Sequence, residues 1–251
     1  MEQSDLLSAI LDIGQSMLEA GAEVSRVETT IQLLCRAYGF QHINVFTISF
    51  SIVVSVRTAE GQILTQTRRV NRQRNNLHCI EQFNALSRRL CRTPAPAEDV
   101  RAEVERIRSA PAYPDWLRFL LYLVIPLAMT LFLGGSLRDG LASSACAAVL
   151  WAADRTGQRL GVKDLVHCFF CAVTVGLCAV GLAVLLPALD LNMVIIGNIL
   201  LLIPGLALTV SLRDMINGDI ITGLLGFSDA LLRALIIAIG VALPTLLGGG
   251  F

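Results

Sequence analysis

The stretch IPGLALTVSLRDMINGD, residues 203–219, decides how this chain is read. It begins as the interior of an apolar helix, yet Pro204 and Gly205 interrupt it, and Arg213, Asp214, Asn217 and Asp219 gather around Gly218. Proline removes a backbone donor and glycine resists helical order, so the carbonyls upstream lose their partners. Inside a bilayer such a break is tolerated where it is buried in protein or lines a water-filled cavity, and transporters hold substrates or coupling ions at broken helices. Asn198, Pro204, Gly205, Arg213, Asp214, Gly218, Asp219 and Gly223 are therefore the candidate substrate or ion pathway. The carboxylates can accept protons or attract cations, Arg213 can pair with a carboxylate substrate, and the glycines let the chain bend.

Composition fits that setting. Of the 251 residues 54% are hydrophobic and only 16% charged, with a mean hydropathy of +0.65, too apolar for an ordinary soluble domain. Polarity is uneven: residues 1–118 hold 14 of the 20 basic and 13 of the 20 acidic residues. The chain divides into a polar α+β domain over 1–110, a proline-bearing joint over 111–116 and a membrane domain over 117–251. The start MEQSDLLSAI lacks the basic and apolar regions of a secretory signal, which places the amino-terminal domain in the cytoplasm.

In the polar domain, Leu6, Ile10, Ile13, Met17, Val24, Val27, Ile31 and Leu34 step by three and four, predicting one amphipathic helix over 4–37 with Gly14 and Gly21 on its apolar stripe. From Ile43 to Arg57 the period becomes two, with Phe46, Ile48, Phe50, Ile52, Val54 and Val56 on one side of a strand. Ala59-Glu60-Gly61 is a hairpin turn and QILTQTRRV the returning strand. Helical spacing resumes over 72–92, TPAP breaks it, and a charged helix follows over 97–109. A two-stranded sheet of this kind is too thin to bury both faces alone, so it should pack on a second copy, a partner or the membrane domain.

A bilayer span needs about 20 apolar residues. Five candidates follow, at about 117–136, 138–154, 165–187, 191–212 and 228–248. The second is short, but its run GLASSACAAVLWAA suits close helix packing in lipid. Arg155, Arg159, Lys163 and Arg213 then fall in cytoplasmic loops, as the positive-inside rule asks, while Tyr113, Trp116 and Tyr122 suit the interfacial aromatic belt. The fold class is a mainly α membrane protein, with five transmembrane helices preceded by a small cytoplasmic α+β domain of helix, β-hairpin and helices.

Seven cysteines form no disulfide pattern. Cys168 and Cys171 make a CxxC beside His167, but within the apolar run HCFFCAVTVGLC they read as buried and inert, with His167 interfacial and no metal site. Asp229 and Arg233, four apart, form a surface pair. Absence of GxxxxGK[ST] argues against ATP hydrolysis by this chain, and absence of HExxH and GxSxG against a hydrolase. No catalytic residue, no cofactor and no nucleic-acid partner are expected; the lipid bilayer, a small-molecule substrate and an oligomer are.

EAGAEVSRVETTIQLLCRAYGF (19–40), NLHCIEQFNALSRRL and IPGLALTVSLRDMINGDIITGLLGFSDALLRA together resemble the threonine/serine exporter family over essentially the whole chain. Ending at GGGF just after the fifth span, the chain is most similar to the stand-alone amino-terminal half, the YjjP-like proteins. The matching residues are Gly21, Glu23, Arg26 and Glu28, the cytoplasmic-domain motif, and Pro204, Gly205, Arg213, Asp214, Gly218, Asp219 and Gly223. The resemblance implies a multi-pass subunit in the bacterial cytoplasmic (inner) membrane. It implies gradient-driven export of threonine and serine or of a succinate-type dicarboxylate, together with a second small membrane subunit, YjjB-like. Glu23 and Arg26 are spaced to pair and to fix their helix. The alternative is a membrane-anchored sensor or scaffold whose cytoplasmic domain binds a regulator.

Overall fold

The computed structural model describes residues 2–70, 76–110 and 113–248. The chain is mostly helical, with one small sheet near its amino end, and divides into two compact units. The first takes in Met1–Ala112 and Gly205–Ser228, the second Tyr113–Pro204 and Asp229–Phe251. Residues 205–228, which the sequence reading grouped with the membrane region, thus cluster with the amino-terminal region.

The apolar stripe of residues 4–37 forms two helices, not one. α1 (Glu2–Glu19) stops where Gly21 adopts φ +86°, and α2 (Val24–Ala37) runs back along it. Gly21 N–H bonds the Leu18 carbonyl and Ala22 N–H the Met17 carbonyl, a left-handed glycine cap. The stripe becomes the seam between the two helices: a Cβ added at Gly14 would come within 2.6 Å of Ile31 Cδ1. Ile10, Ile13, Met17, Val24, Val27, Ile31 and Leu34 are all buried.

The run 43–57 likewise reverses. β1 (Gln41–Ile48) and β2 (Ser51–Arg57) turn at residues 49–50, and β3 (Ile63–Arg69) returns after a turn closed by Thr58 N–H on the Gln62 carbonyl. The sheet is antiparallel, in order β1-β2-β3. Thr47 stands opposite Ile52 and Val45 opposite Val54, so β1 turns Val45 and Thr47, not Phe46 and Ile48, to the covered face. Phe46 is 60% exposed, which corrects its placement with Ile52, Val54 and Val56.

α1 and α2 lie on the sheet, and α3 (Leu77–Arg92) and α4 (Ala97–Ser109) pack against those helices. The Asn76 side chain caps α3 by accepting from Cys79 N–H. Tyr38 Oη donates to the Ala95 carbonyl and accepts from its N–H, fixing the TPAP turn. Residues 71–75, which the sequence reading gave partly to the helix over 72–92, and Pro111 and Ala112 of the joint lie outside the described residues.

α5 (Asp115–Phe132) and α7 (Asp164–Leu185) of the second unit, and α10 (Ile220–Leu247), which belongs to the first unit as far as Ser228 and to the second beyond it, are long and apolar enough to cross a membrane. That is three helices where the sequence reading placed five spans. α6 (Leu137–Arg159) has the length, but Arg138, Asp139, Asp154, Arg155 and Arg159 deprive it of the apolarity. It packs against α5, α7 and α8 (Leu191–Ile199), burying Gly140, Ala142, Ser143, Cys146, Ala147 and Leu150. The expected span 191–212 fails because its helix is broken. α8 stops at Ile199, residues 200–203 continue in tight turns, and α9 (Gly205–Ile216) begins after Pro204. The last helix starts at Ile220 rather than near 228. Trp116 and Tyr113 are exposed as belt residues would be, whereas Tyr122 donates its hydroxyl to Asp154 Oδ2 at 3.1 Å.

Candidate functional site

Two stretches far apart in sequence meet in the first unit: the start of α2 and the turn between α9 and α10. Gly21 supplies the left-handed turn before α2, and Glu23 sits at its N-cap with an extended backbone but no side-chain cap of its own. The first N–H groups of a helix lack internal partners and carry partial positive charge. Here a carboxylate from α9, Asp214, lies by the Val24 N–H, which favours its charged form.

Asp214 is positioned by a second glycine turn. Gly218 adopts φ +97°, its N–H bonds the Met215 carbonyl and the Asp219 N–H bonds the Asp214 carbonyl at 2.9 Å, closing α9 in the same manner as α1. Gly223 lets α10 lie close to α9, since an added Cβ would come within 2.6 Å of the Ser211 carbonyl. Gly205 opens α9 with free space around it.

The result is a compact charged cluster. Arg213 Nη1 lies 2.7 Å from Glu23 Oε1, and Arg26 Nη2 stands 3.9 Å from the same oxygen, the i,i+3 pairing expected from spacing. Glu28 Oε1 accepts the Thr47 N–H from β1 at 2.8 Å, tying α2 to the sheet. Asp214 is only 4% exposed, and its Oδ1 is buried with no hydrogen-bond partner. Burial, then the nearby charge of Asp219, push its carboxyl up to about 6 against the Val24 hydrogen bond; Glu23 raises it further and Arg213 opposes. Burial also raises Glu28, the Thr47 backbone bond opposes this, and Asp219 adds to the rise. Four carboxyls thus share one cluster with two arginines, and the most buried of them can hold or release a proton near neutral pH.

Of the sequence candidates, Glu23, Arg26, Glu28, Arg213, Asp214 and Asp219 come together here, framed by Gly21, Gly218 and Gly223. Pro204 ends the second unit and Gly205 begins the returning segment of the first. Asn198 belongs to the second unit, fully buried: its Nδ2 donates to the Ser143 and Val194 carbonyls, while Oδ1 finds no partner. Beside it Gly197 faces Thr130, whose hydroxyl is 2.8 Å from that of Ser143. Sequence reasoning missed the approach of Asp214 to the start of α2 and Thr47 as the donor to Glu28. The one available signal was an uncapped N-cap at Glu23, since caps supplied across the fold leave no spacing in the chain.

An α+β unit with a buried carboxylate, in a chain that also carries three helices long and apolar enough to cross a bilayer, fits the class of membrane proteins. The comparisons with known proteins agree. The family ThrE, described as "Putative threonine/serine exporter", matches residues 8–247, and the chain belongs to that family. It is 23% identical over 238 residues to the "Probable threonine/serine exporter" of Mycobacterium tuberculosis, spanning 94% of this chain but 45% of that protein. It is 27% identical over 256 residues to the "Probable succinate transporter subunit YjjP" of Klebsiella aerogenes, and 26% over 259 residues to the protein of the same name in Escherichia coli. Each of these covers 99% of this chain and 96% of the relative. No solved structure matches the chain.

Proposed function

We propose that this chain is one membrane subunit of a secondary exporter of small polar metabolites, threonine and serine or a succinate-type dicarboxylate, and that it works with a second small membrane subunit. The observation that carries this reading is Asp214: buried, aimed at a helix N-terminus, with one oxygen unpartnered and a neighbouring arginine already paired to Glu23. A carboxyl held near pH 6 exchanges protons readily at physiological pH, which is what a proton-coupled step needs. Arg213, more than half exposed, can leave Glu23 for an anionic carboxylate on the solute, so that solute and proton compete around one acidic cluster. Asp219, close enough to raise Asp214, joins it in the coupling.

The names of the relatives support the solute classes, and the word subunit in two of them supports a partner. The short turn after Arg155 and Arg159, with Lys163, supports an inner-membrane protein whose amino-terminal region lies in the cytoplasm. The test is efflux of labelled serine, threonine and succinate from cells expressing this chain with and without the neighbouring small membrane subunit. Export of one solute requiring both chains is the expected result; unchanged efflux of all three, with both chains confirmed in the membrane, would contradict it.

A further inference from the structure

The HCFFC run offers a second chemistry, independent of the acidic cluster. His167 and Cys171, four residues apart on α7, share a face, and opposite them on α6 stands Asp154. His167 Nε2 lies 2.8 Å from Asp154 Oδ1 and 3.7 Å from Cys171 Sγ, and the three donor atoms all fall within 4.8 Å of one another. Cys168, the other half of the CxxC, is not in the group.

The surroundings are built for this arrangement. Gly157 is where the imidazole rests: a Cβ there would overlap His167 Nδ1. Asp154 Oδ2 accepts from the Tyr122 hydroxyl at 3.1 Å and from Gln158 Nε2 at 2.9 Å, and Oδ1, which faces His167, also accepts from Gln158 Nε2 at 3.0 Å, so the carboxylate is oriented from its far side. Asp154 and His167 are less than one-fifth exposed at the side chain, and Cys171 is buried. One oxygen, one imidazole nitrogen and one thiol sulfur form a donor set for a borderline-soft divalent cation. Zn–N near 2.05 Å and Zn–S near 2.3 Å at a tetrahedral angle put N and S about 3.5 Å apart, and N and O about 3.3 Å apart. The observed 3.7 Å and 2.8 Å differ from those by about 0.2 and 0.5 Å, within a small side-chain rotation.

We propose that Asp154, His167 and Cys171 bind a Zn2+-class divalent cation that staples α6 to α7 at the base of their turn, with a fourth position open to water. On binding, the Cys171 S–H bond is replaced by a sulfur–metal bond and its proton passes to the buffer; His167 binds as neutral imidazole and Asp154 as carboxylate. Tyr122 and Gln158 act as positioning residues, holding the ligand carboxylate.

Purified full-length protein in detergent is titrated with Co2+ as the spectroscopic stand-in. The expected result is one ion per chain with a thiolate-to-cobalt charge-transfer band, displaced by Zn2+ and accompanied by proton release. Cys171→Ser removes the band and His167→Gln abolishes saturable binding, Cys168→Ser changes neither, and Tyr122→Phe weakens affinity by about tenfold. Folding of each variant is checked by helical circular dichroism, so that loss of metal is separated from loss of structure. No saturable binding by the wild type, or equal loss in Cys168→Ser and Cys171→Ser, would overturn the proposal.

Discussion

The amino-terminal part of the first unit and the second unit bury their apolar side chains in opposite ways, while residues 205–228 of the first, with Ile216, Ile220 and Ile221 exposed, resemble the second. In the first, Leu7, Ile10, Ile13, Met17, Leu34, Ile52 and Phe83 are sealed into one core between sheet and helices, as in a water-soluble domain. In the second, the core is a narrow line of Cys146, Leu150, Ala172, Val175 and Val194, while Phe132, Val184, Leu185 and Leu247 point outward and stay more than 70% exposed. Large outward apolar side chains are unfavourable in water and neutral in hydrocarbon, so the difference sets the amino-terminal core apart from the apolar helices. It also teaches where polar groups are tolerated: in the second unit they sit on the inward side, as Thr130, Ser143 and Asn198 do.

That contrast breaks most sharply in the cores. Phe83→Ala is expected to lower the hydrogen-exchange protection of α1 and β2 amides by about 3–5 kcal/mol, whereas Phe132→Ala, at an exposed site, should change α5 and α6 protection in lipid nanodiscs by less than about 1 kcal/mol. Equal effects would remove the distinction. Within the second unit, Gly197→Ala forces a methyl onto the Thr130 hydroxyl and the Pro126 carbonyl, and should destabilise by about 1–3 kcal/mol in thermal unfolding. A neutral outcome would mean that α5 and α8 are not in contact there.

The acidic cluster sharpens the comparison with a pH signature. Asp214 titrates at 3.8 when free and near 6 when folded, so the folded state holds its proton more tightly. The stabilisation is present below pH 4 and is lost as pH rises through 6, a decline of about 2–3 kcal/mol from this group. Asp214→Asn, of nearly the same shape but unable to titrate, should flatten that part of the stability-versus-pH curve. The smallest effect belongs to Arg213: it is mostly exposed, so Arg213→Gln should cost under about 1 kcal/mol of stability while reducing solute transport.

How much of this was legible in the sequence depends on what encoded it. The break after residue 199 was readable because Pro204 cannot continue a helix, whatever surrounds it. The reversal at Gly21 was not, since Val24, Val27 and Ile31 resume the three-and-four spacing in phase with Ile10, Ile13 and Met17, and periodicity reports a buried face without saying how often the chain turns. The same holds for β1 and β2: a two-residue turn at 49–50 preserved alternation and hid the change of face. Charges on α6 were visible, but the sequence reading let the small residues outweigh them. In the site, Glu23–Arg26 was legible as a local pair, while the contacts of Glu23 with Arg213 and of Asp214 with Val24 link segments about 190 residues apart, which no spacing rule reaches.

The most direct measurement of the central claim is uptake of the exported solute into inverted vesicles carrying this chain and its partner subunit, driven by an imposed pH gradient. Wild type should respond to the gradient, and Asp214→Asn, present at equal level and folded, should lose the gradient-dependent component. Full gradient-driven uptake in Asp214→Asn would contradict the account.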